Sequence, residues 1–152
     1  MNMTEEEVEG LRGYLTAGGM MVADDFWGTY EWEHFEAQMA RVFPDRRIVE
    51  VPADDPIFHQ VYDIQEIMQV PNVRYARMIE AGYQDPPTSE QDGVVPHVRG
   101  IYDDQGRLMV VINWNTDLGD AWEWAEDPFY PLKFSTFACE MGINMIVYAM
   151  SR

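Results

Sequence analysis

The stretch HVRGIYDDQGRLMVVIN, His97 to Asn113, decides the fold. Asp103-Asp104-Gln105-Gly106 is a turn-forming tetrapeptide that ends in glycine. The arms on either side, His97 to Tyr102 and Arg107 to Asn113, therefore predict a β-hairpin. Leu108 to Ile112 is apolar at every position rather than at alternate ones. That pattern predicts a central strand covered on both faces. The run stops abruptly at Asn113, and Asn115, Asp117, Asp120, Trp122 and Trp124 follow within a dozen positions.

Working outward, Thr4 and Glu7 form a Thr-x-x-Glu capping pair. Val8, Leu11 and Leu15 continue at helical spacing, and Gly18-Gly19 ends the helix. Met20 to Ala23 is a short continuous apolar run, which reads as a buried strand that stops at Asp24-Asp25. A second amphipathic helix is predicted from about Tyr30 to Val42, with Phe35, Met39 and Val42 on one face and Pro44 closing it. Arg47 to Val51 alternates like a strand. From Ile64 to Pro96 the patterns weaken, which predicts a long surface excursion with one short helix near Tyr75 to Ala81. Loops of that length are usually functional or mobile. Phe134 to Met150 predicts a long helix with Phe137, Met141, Met145 and Tyr148 on one face. The run Ile143-Met145-Ile146-Val147 is also compatible with a strand. Helices alternating with buried apolar strands indicate a single α/β domain over residues 1–152 with a layered, mostly parallel sheet. Ligands of such sheets sit beyond the C-terminal ends of the strands.

The totals exclude several functions. The formal charge is −17, which argues against nucleic acid and against attraction to an anionic membrane surface. Cations, basic protein surfaces and neutral small molecules remain compatible with it. No apolar run approaches the ~20 residues that span a bilayer, so no membrane insertion and a soluble chain are expected. One cysteine, Cys139, leaves no intrachain disulfide. Lys133 is the only lysine, with no Gly-rich GK[ST] loop around it.

The stretches YLTAGGMMVADDFWG, RVFPDRRIVEVPADDPIFH, RGIYDDQGRLMVVINWNTDLGDAWEWAEDP and MGINMIVYAM together resemble the bacterial domain-of-unknown-function family numbered 4159. The resemblance covers nearly the whole chain. It implies a three-layer α/β/α fold of the flavodoxin-like kind, close to class I glutamine amidotransferases and trehalose-utilisation proteins. It implies no established activity. Members of the family usually carry further βα structure upstream, often after an export signal. The resemblance thus presents this chain as the C-terminal two-thirds of a larger domain, an internal start or a shortened variant, and as periplasmic if a leader lies upstream. A missing early strand would leave an open sheet edge for another chain to cover. Amidotransferase chemistry needs a cysteine on a strand-to-helix elbow. Cys139 sits inside a helical pattern without elbow glycines and reads as a small buried helix residue.

The candidate binding residues are Asp24, Asp25, His59, Asn113, Asn115, Asp117, Asp120 and Trp122. Asp24-Asp25 can hold Mg²⁺, Ca²⁺ or a sugar hydroxyl, or one can cap the next turn while the other faces the crevice. His59, flanked by Phe58 and Val61, is a general base or metal ligand in one reading and hydrogen-bonded structure in the other. His34 and His97 are weaker candidates. No HExxH or CxxC spacing marks a zinc site, and no cofactor is implied. Asn113 and Asn115 offer donors and acceptors, Asp117 caps a turn that Gly119 allows, and Asp120 points back to backbone or ligand. Trp122 and Trp124 stack on a sugar ring or cover the core. The expected function is a noncatalytic binding or interaction domain whose polar crevice takes a small polar molecule or a protein partner, with a homo-oligomer compatible. The alternative is a hydrolase in which Asp25, His59 and Asp117 or Asp120 activate water, with or without a divalent metal.

Overall fold

The computed structural model describes residues 2–151. Helix α1 (Glu5–Thr16) starts at Thr4, whose hydroxyl accepts from the Glu7 amide while the Glu7 carboxylate accepts from the Thr4 amide. The capping pair read from sequence is thus closed in both directions. After α1, Gly18 turns the chain at φ +110 into strand β1 (Met21–Ala23). Helix α2 (Gly28–Val42), strand β2 (Val49–Glu50), a 3₁₀ turn (Pro56–Phe58) and helix α3 (Val73–Glu80) follow. The hairpin is β3 (His97–Tyr102) and β4 (Leu108–Trp114), joined through Gly106 at φ +79. Helices α4 (Leu118–Glu123) and α5 (Leu132–Met150) complete the chain. Ile143 to Val147 is helical throughout.

Among the described residues the sheet has four strands in the order β1-β4-β3-β2. It is mixed, which corrects the mostly parallel sheet expected from the sequence. β1 and β4 run parallel, while β4 with β3 and β3 with β2 are antiparallel. The physical reason is the hairpin turn, which forces β3 and β4 antiparallel whatever their burial. The parallel expectation rests on the alternation of helices with apolar strands, whereas the full burial of β4 marks its central position, as its pattern predicts. β4 is interior to the sheet, and Leu108 to Ile112 are wholly buried.

The two faces of β4 feed two separate apolar clusters. Leu108 and Val111 join Phe134, Phe137, Met141, Met145 and Tyr148 of α5, together with Ile57, Val70 and Leu118. Val110 and Ile112 join Val8 and Leu15 of α1 and Phe35, Met39 and Val42 of α2. Each predicted helix face is therefore a buried face.

Two local expectations are also corrected. β1 is an edge strand rather than a buried one, and Val22 is 38% exposed. Its apolar run reflects packing of Met21 and Ala23 against the α1–α2 cluster, while Val22 and one strand edge stay open. Cys139 is exposed on α5 rather than buried, because the buried face of that helix runs through Phe137, Ala138 and Met141. Among the described residues no helix is long and apolar enough to cross a membrane.

Candidate functional site

Parallel pairing of Ala23 with Ile112 brings the C-terminal ends of β1 and β4 side by side. Asp24 and Asn113 therefore leave the sheet as neighbours. Asp24 Oδ2 accepts from the Gly119 amide at 2.8 Å, while its Oδ1 has no hydrogen-bond partner. Burial pushes the Asp24 carboxyl up to about 6; the Gly119 and Leu118 amides offset this in part, and the Asp25 charge adds to it. Asn113 is wholly buried, and neither its Oδ1 nor its Nδ2 makes a hydrogen bond. Its amide sits near enough to Asp24 to favour the ionised form without reaching hydrogen-bond geometry. Buried side-chain amides are nearly always paired, so an unpaired one at this strand end stands out.

Asp25 turns at φ +56, and its Oδ1 accepts from the Trp27 indole at 3.1 Å. Burial raises its pKa above the ordinary carboxylate value, the Trp27 indole offsets this in part, and the charges of Glu90, Asp120 and Glu31 raise it further. Asn115, directly after β4, turns at φ +61. Its Oδ1 accepts from the Gly28 amide at 2.9 Å, and its Nδ2 donates to the Val95 carbonyl at 2.7 Å. Two non-glycine residues in the left-handed region at adjoining strand ends are held there by these bonds.

Asp117 caps α4 by accepting from the Asp120 amide at 2.7 Å. It is buried, and burial pushes its carboxyl well above the ordinary range, with Asp25, Asp120 and Asp24 adding to the effect. Asp120 accepts from the Val73 amide at 2.7 Å and so also caps α3. The Tyr130 hydroxyl is buried without a partner; burial raises its pKa, and the Asp117 and Asp120 charges raise it further. Among the described residues, no arginine or lysine forms an ion pair with Asp24, Asp25, Asp117 or Asp120. Nor are three His, Cys, Asp or Glu side chains placed to hold a metal ion.

Six of the eight sequence candidates thus gather at one end of the β1–β4 pair. His59 and Trp122 do not join them. The His59 ring meets Asp63 at 2.5 Å and the Ala53 carbonyl at 2.9 Å. The charges acting on it are Asp63 and Asp54, so its hydrogen bonds serve the 3₁₀ turn. The Trp122 indole donates to the Ala138 carbonyl at 2.8 Å and lies against Gly142. It docks α4 onto α5, and it shares with Asp24 the lining of a groove between β1 and α5. Trp124 carries Arg77 over its ring.

Several wall residues gave no sequence signal. The excursion before β3 is stitched onto this polar strand end: Val70 accepts from the Asp117 amide and donates to the Thr116 hydroxyl. Gln69 donates to the carbonyls of Gly93 and Asn115. Asp92 caps the start of α2 through Thr29. Only the unusual length of that excursion hinted at a role.

The profile of one family, described as a domain of unknown function (DUF4159), matches residues 1–150. No curated protein matches the chain.

Proposed function

The chain belongs to the DUF4159 family, and from its crevice we propose a noncatalytic binding domain for a small cationic molecule, an amine or guanidinium compound. The amidotransferase-like layered architecture is part of the same proposal. One observation carries the reading: a wholly buried, unpartnered Asn113 amide beside the free Oδ1 of Asp24. Unsatisfied buried groups cost stability and persist where a ligand completes them. Asp24, Asp25, Asp117 and Asp120 supply negative charge without a basic side chain to neutralise it. A cation with several N–H donors meets the charge and completes the two orphaned oxygens, since Asn113 Oδ1 and Asp24 Oδ1 accept from it, while Asn113 Nδ2 calls for an acceptor elsewhere on the same molecule. Against the hydrolase alternative, the charges acting on His59 are Asp63 and Asp54 and none of the four strand-end carboxylates, which favours the binding reading.

The test is thermal shift and calorimetry with primary amines and alkylguanidines, using the matching alcohols as neutral controls. A ligand at 100-fold over its Kd stabilises by about 2.7 kcal/mol. Amines are expected to raise the Tm at pH 7 and to lose most of that effect at pH 5, where Asp24 is protonated. Equal stabilisation by the alcohols, or unchanged amine binding in Asp24→Asn, overturns the reading.

A further inference from the structure

The open side of β1 is a second feature, adjoining the crevice and sharing Asp24 with it. Among the described residues, β4 is the only strand neighbour of β1. Edge strands are ordinarily kept short or guarded by charge, proline or a bulge; β1 is three residues long, and Met21-Val22-Ala23 itself carries no charge or proline. The side chains alternate as a strand requires. Met21 and Ala23 pack on the α1–α2 side, and Val22 lies on the side of its register partner Val111.

Grooves flank this edge on both faces. One, of about 700 Å³, runs between β1 and α2 and is lined by Phe26, Tyr30, His34 and Phe35. The other, of about 480 Å³, runs between β1 and α5 and is lined by Trp122, Cys139, Gly142, Ile143 and Ile146. Val22 and Asp24 border both. Ile146 is 60% exposed, and Ile143 and Trp122 are exposed beside it. Among the described residues lining the two grooves, the acidic side chains are Asp24 and Glu31, and no arginine or lysine is present.

We propose that the free edge of β1 accepts an added β-strand from another protein. That strand is an extended segment with alternating apolar side chains and a lysine or arginine where it passes Asp24 and Glu31. Strand addition of this kind draws affinity from main-chain hydrogen bonds and specificity from pockets for alternate side chains. The two grooves supply those pockets on opposite faces. Charge decides against a second copy as the occupant. Each chain carries −17, and pairing two such edges would bring a second Asp24 and Glu31 against the first.

Fluorescence anisotropy with a short labelled peptide alternating valine and lysine tests this. Binding is expected, with slower hydrogen exchange at the β1 amides. Binding should fall at least about tenfold for the same peptide N-methylated on alternate backbone nitrogens. It should fall similarly for a valine–glutamate peptide and for Ile146→Glu, a substitution at an exposed position outside the crevice. No binding, or equal binding by the N-methylated peptide, overturns the proposal. So does sedimentation showing a dimer that Ile146→Glu converts to monomer, since the occupant is then a second copy. Because Asp24 serves both sites, Ile146→Glu and backbone N-methylation are the arms that separate them: each is expected to weaken the peptide while leaving simple-amine binding unchanged.

Discussion

Asp24 Oδ2 accepts a hydrogen bond from the Gly119 amide at 2.8 Å, joining residues 95 positions apart. This contact closes the end of the β1–β4 pair and holds a carboxylate where burial opposes its charge. The Asp24 carboxyl titrates near 6 in the folded protein, against about 4 in an unfolded chain. The folded state therefore binds the proton more tightly, and stability falls as pH rises from about 4 to about 6. The cost is present in full at pH 7. Asp24→Asn keeps an acceptor for Gly119 and removes the charge. It is expected to raise stability at pH 7 by about 1–3 kcal/mol and to flatten that part of the pH profile. Urea unfolding at pH 4.5 and pH 7 checks this, and an Asp24→Asn protein that is less stable at pH 7 contradicts it.

Asn113 carries the complementary expectation. Its buried amide lacks partners, so an apolar side chain of similar size removes a desolvation penalty and breaks no hydrogen bond. Asn113→Leu should leave the unliganded protein as stable as the parent, or more stable by about 1–2 kcal/mol. It should abolish the amine-induced thermal shift. A loss of several kcal/mol would instead assign the amide a structural role.

These two residues also show how much was legible beforehand. An apolar run ending at Asn113 and another ending at Asp24 were visible as strand ends, and strand ends bearing polar residues locate crevices in α/β sheets. Strand direction was not visible. The burial pattern of β4 is the same whether its neighbours are parallel or antiparallel, and only the hairpin constrained one side of it. His59 shares the composition of a site residue, yet its partners Ala53 and Asp63 are close in sequence. Local turn chemistry and long-range site chemistry use the same side chains. Tyr130, Gln69 and Gly93 reach the crevice through tertiary packing that no periodicity encodes.

Gly93 gives the third expectation. A Cβ there would lie 2.4 Å from Asn115 Oδ1 and 3.0 Å from the Gly28 backbone nitrogen. Asn115 is fixed by its bonds to Gly28 and Val95, so the crowding must be relieved by moving backbone. Gly93→Ala is expected to cost about 1–3 kcal/mol. Gly10 is the control. It lies within α1, exposed, with open space around the added methyl, so Gly10→Ala should stabilise by about 0.5–1 kcal/mol. Opposite signs in paired denaturant melts support the account; a neutral Gly93→Ala refutes it.

Arg107 tests how α1 is fastened to the sheet. Its guanidinium donates to the carbonyls of Gly19 at 2.8 Å and Leu15 at 2.8 Å, and its Nε donates to Asp103 at 2.9 Å. One side chain thus satisfies carbonyls at the end of α1, steadies the hairpin turn and fixes the chain's approach to β1. Asp103 is held below the ordinary carboxylate range, since its bonds to the Arg107 and Gln105 amides and to the guanidinium outweigh burial. A depressed value stabilises above about pH 4 and is lost as pH falls through it, the opposite sense to Asp24. Lysine cannot reproduce the fork, because an ammonium is a point donor on a flexible stem. Arg107→Lys is expected to cost about 2–3 kcal/mol, with hydrogen-exchange protection falling first in α1 and β1. The acid limb of the stability profile should also become shallower, because Asp103 loses its ionic partner. A uniform loss of protection across α5 would place the role of Arg107 in the global core instead of at this joint.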